Sequence, residues 1–98
     1  MNLGRVFREQ DKLPEAVDSY KKGVALNPDD ANLRFNLGIA YWFLGKLDDA
    51  EKSLRKAIEL KPDYPLAYNR LIQVLIKEGK QEQANSVLAQ AKRMGLRP

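Results

Sequence analysis

The sequence predicts an all-α fold, an α-solenoid of three stacked helix–turn–helix pairs. Residues of similar size recur at a step of 34, which is the distance from Pro28 to Pro62. Within each copy, two runs of apolar residues follow the period of an α-helix, and a glycine or proline ends most of them. We find no run of alternating apolar and polar residues that would indicate a strand.

The 34-residue step divides the single domain, residues 1–98, into units of about 1–30, 31–64 and 65–98. Large apolar residues align with one another, as do Leu3, Leu37 and Leu71. Small residues align as well. Because one helix pair cannot bury its apolar side alone, the three units are expected to stack.

Start and stop signals give the helices their bounds. Gly45 and Gly79 follow apolar runs and are expected to end helices, whereas Pro65 is expected to begin one. The Asp29–Asp30 pair lies at another helix start, and Asp48 is expected to cap a further helix. Together these signals predict six antiparallel helices, over about 1–10, 13–26, 31–44, 47–60, 65–78 and 81–94.

The small residues explain how two helices of one pair can lie close together. Gly38 is expected to face Ala50 across the turn, because a larger side chain on either would separate the helix axes. Ser19, Ser53 and Ser86 also recur on the second helices and are expected to point toward solvent.

This pattern resembles the tetratricopeptide repeat, whose units read W-x-x-L-G-x-x-Y, then A-x-x-x-F, A and P over 34 residues. The middle copy matches at six places: Leu37, Gly38, Tyr41, Ala50, Ala57 and Pro62. The resemblance covers essentially the whole chain and implies a right-handed superhelix. Departures occur at Gly23, where the family has Ala, and at Ile72 and Leu96, where it has Gly and Pro. The third unit is therefore expected to deviate in packing.

The composition argues against catalysis and bound cofactors. The chain has no Cys and no His, so the commonest metal ligand and general base are missing. No glycine-rich phosphate loop is present, and the paired carboxylates are explained as helix-start residues. We therefore predict no enzyme activity, no metal and no cofactor.

Two further patterns concern membranes and nucleic acid. The apolar run 37–44 is shorter than the roughly 20 residues of a membrane helix, and we see no signal peptide, so a soluble chain, cytoplasmic by default, is expected. The net charge of +4 arises in residues 65–98, whereas most aromatic residues lie in the first two units. This separation does not favour nucleic-acid binding.

The helix predicted over 31–44 is more apolar than one buried side requires. In the tetratricopeptide family, the first helix of each pair lines a concave groove, which implies a peptide-binding function for the aligned residues. The expected groove residues are Arg5, Arg8, Phe35, Asn36, Ile39, Trp42, Phe43, Leu66, Asn69, Arg70, Gln73 and Ile76. An apolar floor with a basic and amide rim suits a peptide that carries acidic residues. The alternative is that the aromatic side chains pack between neighbouring first helices.

Some family members hold a partner's C-terminal carboxylate with a Lys/Asn clamp. Asn36 and Arg70 match two of its places, but Leu66 replaces the lysine, so no such clamp is expected.

The predicted function is a scaffold that binds a peptide or partner protein. Two alternatives stay open: a spacer or oligomerisation segment of a longer repeat protein, and a targeting module of an enzyme. The first unit lacks its opening turn and no polar capping helix follows the last one, so a longer array is expected. For the same reason, the ends are expected to self-associate, the last helix through Val87, Leu88, Ala91 and Met94.

Overall fold

A computed structural model describes residues 13–97, and that part of the chain is all helical. It contains five helices and no strand, and the helices end within one residue of their predicted bounds. They are α1 (Leu13–Leu26), α2 (Ala31–Phe43), α3 (Leu47–Leu60), α4 (Pro65–Lys77) and α5 (Gln81–Arg93). The helix predicted over about 1–10 lies outside the described residues. The count of six helices and the right-handed superhelix therefore stay predictions.

Each helix packs against the next one along the chain, and α2 also contacts α4. Short turns reverse the chain between neighbours, so successive helices run antiparallel. Because α3 packs against both α2 and α4, it holds these two helices side by side. Successive helix pairs thus stack in the manner of a solenoid.

Glycine residues end three of the helices with the same backbone geometry. Gly45, Gly79 and Gly95 have φ angles of 78°, 79° and 77°. After α2, the amide of Gly45 donates to the carbonyl of Trp42 and the amide of Lys46 to that of Tyr41, both at 2.9 Å. This is the Schellman motif, which requires a left-handed residue that glycine adopts without strain.

Two helix starts agree with the sequence and one does not. Oδ1 of Asp30 accepts a hydrogen bond of 3.1 Å from the amide of Leu33 and so caps α2. Pro65 is the first residue of α4. The prediction that Asp48 caps α3 is wrong, because α3 begins at Leu47 and the cap position belongs to Lys46. The tight turn at Gly45 allows α3 to begin at Leu47, one residue before Asp48. Asp48 therefore lies in the first turn of the helix and not at its cap position.

A single apolar core runs through the described helices. Most of its largest fully buried side chains come from α4, and one comes from α3. The fully buried large side chains are Tyr68, Leu54, Leu71, Leu75 and Val74.

The expectation for the three serines holds for Ser19 and Ser86, which are exposed. It is wrong for Ser53, which is 8% exposed. An isolated helix pattern assumes one buried stripe, whereas α3 packs against α2 on one side and α4 on the other.

The close approach predicted at Gly38 is confirmed. A Cβ atom added to Gly38 would lie 2.8 Å from Cγ of Leu54 and 3.4 Å from the carbonyl oxygen of Ala50. The α2–α3 contact is the most extensive in the described part, and the α4–α5 contact is smaller. The expected deviation of the third unit, where Ile72 aligns with Gly38, stays a prediction.

The prediction that the last helix leaves an apolar row in water is largely wrong. Val87 and Ala91 are buried, and Leu88 is half-buried. The exception is Met94, which is 44% exposed although its sulfur accepts a hydrogen bond from the Tyr68 hydroxyl at 3.2 Å. Packing against α4 covers most of this row. The residues that α5 presents to solvent are mostly polar. Self-association of the chain stays a prediction.

Candidate functional site

The candidate site is the side of α2 and α4 on which Ile39, Trp42, Phe43, Asn69 and Arg70 lie, here called the α2/α4 face. All five of these residues are half-buried. The face exists because α2 and α4 are neighbours that share the support of α3. It therefore combines residues from two successive repeat units.

Trp42 and Arg70 form the centre of this face. The guanidinium carbon of Arg70 lies 5.7 Å from the centroid of the Trp42 ring, which is the distance of a cation–π interaction. The neighbouring Phe43 ring stacks on Trp42 with centroids 5.9 Å apart and planes at 16°. The structure thus brings together three residues that the sequence assigned to the groove.

Amide side chains hold Arg70 in this position. Oδ1 of Asn69 accepts a hydrogen bond from Nη1 of Arg70 at 3.1 Å and another from Nε2 of Gln73 at 2.6 Å. Among residues 13–97, no carboxylate lies within 4.0 Å of the Arg70 guanidinium. Its remaining donors are therefore available to an acceptor from outside the described chain.

Apolar side chains of α4 extend the face. Leu66 is 56% exposed and Ile76 is 51% exposed. Two large aliphatic residues that are each more than half exposed on one helix are a candidate contact surface for a partner. Asn36 is exposed on α2, whereas Arg5 and Arg8 lie outside the described residues.

Phe35, which the sequence assigned to the groove, packs against an aromatic residue of the α3–α4 turn. Its ring packs against Tyr64, with centroids 5.1 Å apart and planes tilted by 34°. Nζ of Lys61 lies 4.9 Å from the Tyr64 centroid on the same turn. Burial raises the pKa of Tyr64, and the Asp30 carboxylate adds to the effect, so the phenol stays neutral at physiological pH.

Sequence reasoning missed Tyr64. The residue lies in the α3–α4 turn, between Pro62 and Pro65, and so contributes to no helical period. An aromatic residue directly before a helix-starting proline was the available signal.

The sequence allowed the aromatic residues of α2 either to line the groove or to pack between neighbouring first helices, and the structure agrees in part with each. Phe35 and Trp42 pack against the apolar core, yet both keep exposed surface. Neither complete burial between helices nor complete exposure on the face describes them.

In residues 13–97, no group of three or more His, Cys, Asp or Glu side chains is placed to hold a metal ion.

None of the helices in that range is both long enough and apolar enough to cross a membrane.

Comparison with known families shows what the repeated geometry is. A family model described as "TPR repeat" matches residues 4–45, and one described as "Tetratricopeptide repeat" matches residues 31–64. The chain belongs to the tetratricopeptide repeat family. The resemblance drawn from Leu37, Gly38 and Tyr41 is thereby confirmed.

Similar proteins are longer than this tetratricopeptide repeat chain. It is 36% identical over 77 residues to Hsp70-Hsp90 organizing protein 3 of Arabidopsis thaliana. This alignment covers 76% of this chain and 14% of that protein. It is 37% identical over 68 residues to protein O-mannosyl-transferase TMTC1 of Homo sapiens, covering 69% of this chain and 8% of that protein. The chain thus spans a small part of the curated relatives that it matches.

Solved structures give the same architecture. A crystal structure of MamA superposes with a TM-score of 0.82 at 26% identity, covering 93% of this chain and 53% of MamA. This similarity supports an α-solenoid of tetratricopeptide type. Together with the family match, it supports a protein-interaction module.

Proposed function

We propose that the chain binds a short acidic and apolar segment of a partner protein on the α2/α4 face. The observation that carries the proposal is the position of Arg70, which is held over the Trp42 ring by Asn69. In this proposal, Arg70 pairs with a carboxylate of the partner. The exposed side chains of Leu66 and Ile76 receive its apolar residues.

Preorganisation is the physical reason to place the anchor at Arg70. A free arginine side chain loses rotamer freedom when it binds, at a cost of roughly 0.5–1.5 kcal/mol. Here the stacking on Trp42 and the hydrogen bond to Asn69 fix the side chain before a partner arrives. Because Arg70 is half-buried, an incoming carboxylate would pair with it in a partly desolvated place, where charge-assisted hydrogen bonds are stronger.

The apolar residues supply the remaining affinity. Burial of apolar surface contributes about 25 cal/mol per Å². Leu66 and Ile76 keep more than half of their surface available for such burial. The combination of one cationic anchor and exposed aliphatic residues favours a mixed acidic and apolar segment over a purely charged one.

The relatives are consistent with this function. The name of Hsp70-Hsp90 organizing protein 3 describes a protein that organises two other proteins. That comparison supports binding to protein in general, and the preference for acidic residues is our inference from Arg70.

The test uses Trp42, the only tryptophan of the chain, as a fluorescent reporter. A panel of short peptides with Glu or Asp beside Leu and Phe is titrated into the protein, and matched peptides carry Gln or Asn instead of the acids. We expect the acidic peptides to bind, to change the Trp42 emission and to bind more weakly at high salt.

Variants locate the site. Arg70→Glu should abolish binding of the acidic peptides, whereas Arg93→Glu, which makes the same charge change at an exposed position on α5, should leave it nearly unchanged. If both variants weaken binding equally, attraction to the net positive charge explains it and the α2/α4 face is the wrong site. No binding by any peptide, and no partner captured with wild-type chain, would favour the architectural spacer.

A further inference from the structure

Two acidic side chains meet where the α4–α5 turn lies against α3. Glu78, the residue that follows α4, has a side chain only 7% exposed. Glu51, on α3, has a side chain 14% exposed. Two carboxyl groups this deeply buried together require an explanation, because burying a charge is costly unless it is paired.

The nearby cations are engaged mainly by Glu51. Nζ of Lys80 lies 2.9 Å from Oε1 of Glu51, and Nε of Arg55 lies 2.8 Å from Oε2. Arg55 also donates through Nη2 to Oε1 of Gln83 on α5, at 3.0 Å. These bonds tie α3 to the turn and to the first residues of α5.

Glu78 receives much less compensation. Its Oε2 is 3.5 Å from Nζ of Lys80, the same ammonium group that Glu51 holds more closely. Its Oε1 is buried and has no hydrogen-bond partner among the described residues. A carboxylate oxygen in that position would lose its hydration without replacement.

A proton on Glu78 removes this difficulty. The neutral carboxyl group has an O–H donor, and hydrogen bonding with the carboxyls of Glu51 and Asp48 favours this protonated form. The charged groups around Glu78 are then Asp48, Glu51 and Arg55 from α3 and Lys80 from the turn. With Glu78 neutral, the two cations face Glu51 and Asp48 only, so the cluster is close to charge balance.

The titration behaviour expected of the pair follows the same geometry. Burial raises the pKa of Glu78 to about 7, and the carboxyls of Glu51 and Asp48 add to this effect. Burial also acts to raise the pKa of Glu51, but the hydrogen bonds from Lys80 and Arg55 outweigh it and lower that pKa to about 2. Between about pH 2 and pH 7, Glu78 is therefore mainly protonated while Glu51 is mainly ionised, as in other close carboxyl pairs.

We propose that Glu78 and Glu51 form a pH-sensitive latch between the α4–α5 turn and α3, closed when Glu78 carries a proton and loosened when it ionises. The latch stands independently of what the α2/α4 face binds. It lies at the end of α4, the helix that also carries Arg70. The Schellman turn at Gly79 and Lys80 is the backbone that loosening would affect first.

The sign of the pH dependence follows from linkage. The pKa of Glu78 in the folded chain lies above its ordinary value of 4.5, so the unfolded chain binds fewer protons between pH 4.5 and 7. The latch therefore contributes its full stability below about pH 4.5 and loses it as the pH rises to about 7. Glu51 acts in the opposite direction at lower pH, because its stabilising charge is lost as the pH falls from 4.5 toward 2.

The first measurement is a carbon-13 NMR titration of the glutamate side-chain carboxyls in the intact chain, with Glu78 assigned by its absence in Glu78→Gln. We expect Glu78 to titrate near pH 7. A Glu78 midpoint close to 4.5, the ordinary value of a glutamate side chain, would overturn the proposal. The decisive value comes from the wild-type chain, and Glu78→Gln serves only to assign the signal.

The second measurement is the free energy of unfolding as a function of pH. In the wild type, the unfolding equilibrium constant should rise roughly ten- to a hundredfold between about pH 4.5 and pH 8. Glu78→Gln keeps a hydrogen-bond donor without a titrating group and should flatten this profile, whereas Glu82→Gln should keep the wild-type slope. An unchanged slope in Glu78→Gln would overturn the latch.

Discussion

The Cβ position of Gly38 lies 2.8 Å from Cγ of Leu54, a side chain with no exposed surface. The contact joins α2 to α3. Leu54 cannot withdraw, because it is enclosed by the core on every side. The absence of a side chain at residue 38 is therefore what allows this pair to pack.

The first prediction concerns Gly38→Ala. Alanine is the better helix former by about 1 kcal/mol, but overpacking of a filled core costs about 1–3 kcal/mol. We expect a net loss of about 1 kcal/mol in the free energy of unfolding, measured by chemical denaturation.

Gly23 offers the matched control, because it is also a helix-interior glycine. Among residues 13–97, the atoms closest to an added Cβ there are the ends of the half-buried Leu33 side chain, at 3.2 and 3.3 Å. A flexible side chain can yield by that amount, so Gly23→Ala should stabilise the chain by about 0.5–1 kcal/mol. Effects of the same sign for both variants would contradict the packing argument.

The second prediction concerns Ala50, which has no exposed surface on the α3 side of the same contact. Ala50→Leu should lower the free energy of unfolding by about 1–3 kcal/mol. The control is Ala89 on α5, which is exposed to solvent. Ala89→Leu makes the same change in water and should alter the free energy of unfolding by less than about 0.5 kcal/mol.

Had Ser53 faced solvent as the sequence predicted, Ser53→Leu would have been a neutral control for Ala50→Leu. Its position in the structure rules out that use. The side chain is nearly buried between helices, so this variant should also be destabilising. Equal melting temperatures for wild type, Ala50→Leu and Ser53→Leu would show that α3 packs more loosely than its burial indicates.

The third prediction concerns the start of α2. Asp30→Ala removes the bond of 3.1 Å to the Leu33 amide and should cost about 1 kcal/mol of stability. Asp29→Ala removes the neighbouring carboxylate, which is exposed, and should have a much smaller effect. Thermal unfolding of the two variants side by side separates a specific cap from the general effect of negative charge at a helix start, and equal losses would reject the cap.

The repeat could be predicted from sequence because close packing restricts size at fixed places. Gly38, Ala50 and Leu54 each occupy a space that the neighbouring helix defines, so a step of 34 residues conserves small and large side chains. The same signal cannot report how many sides of a helix are covered. That is why Ser53 was assigned to solvent although α3 packs against two helices.

The candidate site depends on a register between helices that the repeat does not contain. Repeat alignment places Trp42 opposite Ile76, yet the cation over its ring belongs to Arg70. A repeat alignment identifies equivalent places in two units, but it does not report which side chains of neighbouring helices touch. Tyr64 and Glu78 were missed for a related reason, because each lies in or next to a turn and its burial depends on the helix across from it.

The last prediction tests the relationship on which the candidate site depends, the contact between Trp42 and Arg70. A double-mutant cycle of Trp42→Ala and Arg70→Ala, measured by chemical denaturation, should give a coupling energy of about 0.5–1 kcal/mol, as expected for a partly exposed cation–π pair. Arg93 gives the control, since it is exposed on α5, and the cycle of Trp42→Ala with Arg93→Ala should be additive within about 0.3 kcal/mol. Additivity in both cycles would mean that Arg70 is not held on the ring in solution, and the preorganised anchor proposed for an acidic partner would then have no physical basis.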